Sequence, residues 1–156
     1  MRRSDLEVQD LQAIQTSIGR CRYCRLGLVE HGMAYIVPLN FGYAFEDGKH
    51  LLYFHSALEG RKIRLLQENP QASFQMDANY KMYSHEIACE YSARYQSIIG
   101  HGSVHFIQSP EDKIRALRTI MLHNTKTAEH TFSNAMLERV AVFCLTVDEL
   151  TCKAHA

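Results

Sequence analysis

Between Tyr53 and Leu66 the chain reads YFHSALEGRKIRLL, and its polar residues have the types and spacing to hold a phosphate. The stretch looks like the end of a strand running into a helix. Ser56 opens Ser-Ala-Leu-Glu, a capping-box pattern in which Glu59 reaches back to the cap. Arg61 and Lys62 then fall near the helix start, where the backbone already carries partial positive charge and cations are mildly disfavoured. The free N–H groups of a helix start bind anions, and phosphate is a frequent guest. An arginine fork and a lysine point charge strengthen that grip, and an anion would more than offset their local cost. A solvated basic face, with Glu59 neutralising Lys62 or Arg64, accounts for the same residues without a ligand. His55 precedes the serine and has the side chain most suited to acid–base work near neutral pH. It is one of nine histidines, so its type alone singles it out weakly.

Other reactive residues form no comparable group. The five cysteines are Cys21, Cys24, Cys89, Cys144 and Cys152, an odd count at irregular spacing that does not resemble a disulfide framework. Cys21 and Cys24 make one CRYC, with no second CxxC and no HxxxH helix pair to complete a zinc site. The pair closes a helix and leads into a strand, the reverse of a thioredoxin-type redox pair. Reduced thiols packed in a core are the expectation, with no metal. His101 and His105 share one face of a strand, as a polar face or a metal pair would. His31, His85, His101, His105 and His123 could each ligate haem iron, but none sits in a haem-attachment motif.

The elements that must position these residues are mostly strands. Asp10 caps a short helix in which Leu11, Ile14 and Ile18 share a face, and Gly19 stops it. CRLGLVE reads as a strand closed by a His-Gly turn. MAYIVPLNFGYAF, rich in β-branched and aromatic residues, reads as a strand interrupted at Pro38, which implies an edge, a bulge or a break in the ladder. EDGK is a hairpin turn and HLLYFH the returning strand. The helix through Ile63, Leu65 and Leu66 ends before Asn69-Pro70. QASFQMDANY and IACEYSARYQSIIGHGSVHFIQ follow as strands. Ser109-Pro110-Glu111-Asp112 starts a helix with Ile114, Leu117, Ile120 and Met121 on its apolar stripe. A helical turn at Asn134 to Glu138 precedes a last strand, VAVFCLTVDEL. About six hairpin-linked strands without regular βα alternation point to a mainly β fold, an antiparallel barrel with peripheral helices.

Composition fits one domain over residues 1–156: 46% hydrophobic and 22% charged residues, with 17 basic against 17 acidic side chains. Zero net charge argues against a general nucleic-acid or membrane-surface binder. No apolar run approaches the roughly 20 residues of a membrane span, and MRRSDLEVQD lacks the apolar core of a signal peptide. A soluble cytoplasmic protein is expected.

YIVPLNFGY, then LYFHSALEGRKIRLLQENP, then YQSIIGHGSVHFI and a Glu-Asp-Lys helix together resemble the nitroimidazole-resistance (Nim) family of pyridoxamine 5'-phosphate oxidase-like, FMN-binding split barrels. The resemblance spans nearly the whole chain, to the Thr151-Cys152-Lys153 that stands where the family often has a T-G-K turn. It implies an antiparallel six-stranded split β-barrel and a homodimer with FMN at the subunit interface. Arg61 and Lys62 would hold the FMN phosphate with Ser56 nearby. Val37, Pro38, Leu39 and Asn40 would lie along the isoalloxazine, and His55 beside it as the catalytic candidate. Tyr95, Ser97 and Gly100 would reach the flavin from the partner subunit. The implied activity is reduction of nitroaromatic or related small electron acceptors from a reduced nicotinamide donor. A flavin- or haem-binding protein without turnover is a second reading, and a deazaflavin or pyridoxal phosphate would use the same phosphate grip. A pyridoxamine-phosphate-oxidase-like enzyme is a further alternative, weakened by the lack of a basic residue just beyond Pro38, where the chain reads NFGYAF. Phe41, Tyr43 and Tyr53 are candidates for an apolar substrate wall or for core.

Overall fold

The structure, a computed structural model, describes residues 3–155; the ends of the domain expected over 1–156 fall outside that range. Seven antiparallel strands form one sheet, in the order β2-β1-β5-β6-β7-β4-β3. They are β1 (Cys24–Glu30), β2 (Met33–Leu39), β3 (Gly42–Glu46), β4 (Lys49–Ala57), β5 (Gln71–Tyr83), β6 (Ser92–Ile107) and β7 (Val140–His155). The helices are α1 (Leu11–Arg20), α2 (Arg61–Glu68), α3 (Pro110–Thr125) and the single turn α4 (Asn134–Leu137). The class is mainly β with peripheral helices. The sheet stays open between its edge strands, β2 and β3, and holds one strand more than expected.

The extra strand comes from MAYIVPLNFGYAF. The break falls at Asn40-Phe41, not at Pro38, and it separates β2 from β3 by the full width of the sheet. Pro38 lies in the edge strand β2, opposite Arg25 of β1, where a missing N–H costs the ladder little. Phe41, between the strands, is completely buried, so burial of its ring helps to fix the crossing point. The two tight hairpins form as their sequences require. His31-Gly32 and Asp47-Gly48 take φ values of 50° and 77° in each pair, the positive angles of a type I′ turn.

Two helix starts follow their caps. The Asp10 carboxylate accepts from Ala13 N–H at 2.8 Å, and Ser109 Oγ accepts from Asp112 N–H at 3.1 Å. Ile18 packs into the core and Ile14 against it, whereas Leu11 faces solvent, so the apolar stripe of α1 is one residue shorter than its spacing suggests. Helix α1 also runs past Gly19 to Arg20. The TCK segment is not a turn: β7 continues through it, with Ser97 opposite Lys153 and Cys152 buried.

The core has two parts. Inside the sheet, Leu26, Phe54, Phe74, Met76, Ile98 and Phe143 pack with the apolar faces of α1 and α2. On the other side of β4 and β7, Tyr53, Val142 and Cys144 pack on Ala116, Leu117 and Ile120 of α3. Each fully buried large side chain contributes roughly 1.5–3 kcal/mol. Phe41 and Tyr53 are therefore core, and Tyr43 packs on the edge of the same core with its hydroxyl 2.8 Å from His50 Nδ1. None of the three is an open substrate wall.

Candidate functional site

The strand β4 determines where the opening cluster goes. It pairs with β7 as far as Ala57, with Ser56 opposite Ala141 and Ala57 opposite Val140. That ladder takes up the backbone of Ser56 and keeps the residue in a strand. The capping box therefore does not form, and Glu59 does not reach back to a Ser56 cap; helix α2 starts five residues after the serine, at Arg61, behind Gly60 as its cap residue. Gly60 sits at φ 130°, ψ 172°, a conformation essentially confined to glycine, and it has no side chain to cap with. The first backbone bond of the helix runs from Arg64 N–H to Gly60 O at 3.1 Å. The N–H groups of Arg61, Lys62 and Ile63 precede it and are left as the unpaired donors of a helix start.

Ser56 is 9% exposed and its Oγ has no hydrogen-bond partner. A buried hydroxyl without a partner is uncommon and calls for a ligand or a reason. His55, next to it, points to the opposite face of β4 and is exposed. The two side chains alternate across the strand, so they act on different sides of it.

Arg61 is engaged across 31 residues. Its Nε donates to Glu30 Oε2 at 2.7 Å, and its guanidinium lies 4.3 Å from the centre of the Tyr35 ring. Arg64 grips the other oxygen of Glu30 and also Glu68. The Arg64 and Arg61 hydrogen bonds hold the Glu30 carboxyl below the usual range of a glutamic acid. Lys62 is half-buried and forms no ion pair among the described residues. Glu30 and Tyr35 carried no signal in the sequence, because only the β1–β2 hairpin brings them to the start of α2.

The ring-side candidates lie along β2 and just beyond it. Val37 and Leu39 lean on the core, Pro38 faces outward, and Asn40 lies beyond the last residue of the strand. From Tyr35 to Asn40 is five residues of extended chain, about 17 Å. A molecule with a phosphate at α2 and a planar ring along Val37–Asn40 would therefore be elongated, as FMN is.

Tyr95 and Ser97 lie together on the outward face of β6, opposite His155 and Lys153. Gly100 belongs to the other face: a Cβ there would come within 2.6 Å of the Phe74 ring. Its packing reason is internal, and only its backbone is available to the face that carries Tyr95 and Ser97.

All five cysteines are free thiols, and burial pushes Cys21, Cys24 and Cys144 up to about 12. Among the described residues no group of three His, Cys, Asp or Glu side chains is placed to hold a metal ion. Of the five histidines considered for haem, only His123 is half-buried, and its Nε2–H donates to the Cys21 carbonyl at 2.8 Å. Among the described residues no helix is long and apolar enough to cross a membrane.

The family model described as pyridoxamine 5'-phosphate oxidase matches residues 10–154. A candidate 5-nitroimidazole antibiotic resistance protein from Bacteroides thetaiotaomicron VPI-5482 is 35% identical, with 96% of this chain and 86% of that one covered and a TM-score of 0.83. The flavocytochrome Anf3 from Azotobacter vinelandii superposes with a TM-score of 0.81 at 18% identity, covering 100% of this chain and 72% of its own. An FAD and haem binding protein from Mycobacterium smegmatis gives 0.80 at 20% identity, with 95% and 72% covered. These last two share the fold. No curated protein matches the chain in sequence.

Proposed function

The chain belongs to the pyridoxamine 5'-phosphate oxidase family, and from that premise we propose that it binds FMN and reduces nitroaromatic or related small electron acceptors with a reduced nicotinamide as donor. The observation that carries the reading is the partnerless hydroxyl of buried Ser56, on the strand that leads into a helix start with no side-chain cap. These groups fit a phosphate. The Ser56 hydroxyl and the N–H groups of Arg61, Lys62 and Ile63 would donate to its oxygens, and the Lys62 ammonium would neutralise it. Arg61 would exchange part of its hold on Glu30 for the phosphate, leaving Arg64 to keep the carboxylate paired.

A bound flavin supplies the hydride and electron transfer that these side chains cannot perform. The chain holds and orients it: Val37, Pro38, Leu39 and Asn40 along the ring, Tyr95 and Ser97 from a second copy. His55, exposed on the face of β4 opposite Ser56 and with no hydrogen bond among the described residues, would deliver a proton only to an acceptor bound on that face. The outward face of the sheet exposes Val29, Ile36 and Ile99, each more than half accessible, which supports a second copy of the chain as the partner. FMN at that shared face completes the proposed site.

The test is optical. The purified protein should be yellow, with a flavin spectrum, and anaerobic reduction by NADH followed by a 5-nitroimidazole should restore the oxidised spectrum. A bound flavin that the nitro compound fails to reoxidise would leave a binding protein without turnover. A Soret band without flavin would remove the reading altogether. The double variant Arg61→Ala/Lys62→Ala should release the flavin and keep its far-ultraviolet circular dichroism.

A further inference from the structure

A large cleft lies away from the start of α2. It is about 1090 Å³ and forms where the C-terminal ends of α1 and α3 meet the middle of β5. Arg20, Arg22 and Lys126 line it together with Tyr23, Tyr80 and Asn40. The three cations make no ion pair among the described residues; Lys126 donates only to the His123 carbonyl, at 2.9 Å. The acid in the lining, Asp77, is already paired with Arg25 at 2.6 Å. The ends of two helices explain why cations are tolerated here, since each end carries partial negative charge. They do not explain why the cations of both ends converge on one cleft together with two exposed tyrosine rings, 43% and 65% accessible.

Two arginines, a lysine and two exposed tyrosines, of which Tyr23 has the Arg25 guanidinium over one face and Tyr80 has none among the described residues, form the recognition set for a diphosphate joined to a flat base. We propose that this cleft binds the ADP half of a dinucleotide, and that the dinucleotide is the nicotinamide donor. The assignment of the donor rests on the flavin reading above; the binding of ADP does not.

Geometry selects the donor over FAD as the source of that ADP. From Tyr23 to Glu30 is seven residues of extended chain, about 24 Å. The ADP half of an FAD would leave from the phosphate, at the Glu30 end beside α2. The cleft lies at the opposite end of β1, where Asn40 belongs both to its lining and to the ring side of the flavin site. A nicotinamide stacked on that ring would leave its pyrophosphate and adenosine in the cleft.

Calorimetric titration of the protein as purified with ADP tests the site. Binding should weaken as salt rises, and Arg20→Gln/Arg22→Gln/Lys126→Gln should lose it by at least tenfold with an unchanged thermal midpoint. Absence of ADP binding to the parent protein overturns the proposal, as does a variant that binds ADP as the parent does. The donor is tested by kinetics. The same variant should raise the KM for NADH or NADPH at least tenfold while leaving the rate with N-benzyl-dihydronicotinamide, which has no phosphates, unchanged. If the variant instead loses FAD and keeps its KM for the nicotinamide dinucleotides, the ADP belongs to FAD and the donor assignment is wrong. A protein that copurifies with no flavin yet binds ADP at this cleft sinks the flavin reading and leaves the ADP site standing.

Discussion

Replacing Ser56 by alanine should make the protein more stable without flavin and a poorer host for it. The Ser56 hydroxyl is buried and partnerless in the free chain. An unsatisfied buried polar group costs about 1–3 kcal/mol. Removing one oxygen leaves a void of roughly 10 Å³, which at about 24 cal/mol per Å³ returns only ~0.2 kcal/mol of that. Alanine is also the residue opposite, Ala141, so the strand pair accepts it without strain. The net expectation is a gain of about 1 kcal/mol in the free protein. If the hydroxyl donates to a phosphate, its loss weakens flavin binding by about 1.4 kcal/mol, or tenfold. At a flavin concentration 100 times the parent Kd, ligand stabilisation should fall from about 2.7 to about 1.4 kcal/mol. Urea unfolding of parent and variant, each with and without FMN, reads all four values. A variant that is less stable without flavin, or that gains as much from flavin as the parent, would refute the assignment of Ser56 to the phosphate.

Three further outcomes follow from other parts of the fold. Gly42→Val should destabilise by 1–3 kcal/mol or more, because a Cβ at Gly42 would stand 2.5 Å from Ile120 N and force α3 off β3; thermal unfolding measures the loss, and an unchanged midpoint would contradict that contact. Glu30 has a folded pKa held below its unfolded value by Arg64 and Arg61, so its contribution is complete above roughly pH 4.3 and is lost as the pH falls through the lower folded value. Glu30→Gln should therefore remove part of the acid limb of the stability–pH curve, measured by urea midpoints between pH 7 and pH 3. Of five cysteines only Cys89 is exposed, so a thiol reagent at pH 8 should titrate one thiol per native chain and all five in denaturant; two or more fast thiols would show that the core opens more readily than its packing implies.

Local chemistry was legible where it is self-contained. Asp10 and Ser109 cap the helices they precede, and His31-Gly32 and Asp47-Gly48 turn as their residue types require, because each signal is satisfied within four residues. Ser56 misled for a physical reason: it has the composition of a cap, but pairing with β7, some 85 residues later, claimed its backbone first. Pro38 correctly marked an edge strand, while the chain break two residues on depended on where Phe41 could be buried. The basic pair at Arg61 and Lys62 was visible, but not Glu30, which pairs with Arg61 and lies 31 residues away. The cleft of Arg20, Asn40, Tyr80 and Lys126 was invisible for the same reason, since four separate segments build it.

The position of β7 has a consequence for how the chain reaches this structure. It lies between β6 and β4, so the sheet without it is two pieces, β2-β1-β5-β6 and β4-β3, with no backbone ladder between them. During synthesis the first piece can assemble early from near neighbours, while β3 and β4 remain a short hairpin that is marginal by itself. Ser56 belongs to that hairpin and pairs with Ala141, so it gains its fixed position only when residues 140–155 have emerged and docked. A site assembled in this order would take up a ligand only on chains synthesised through β7.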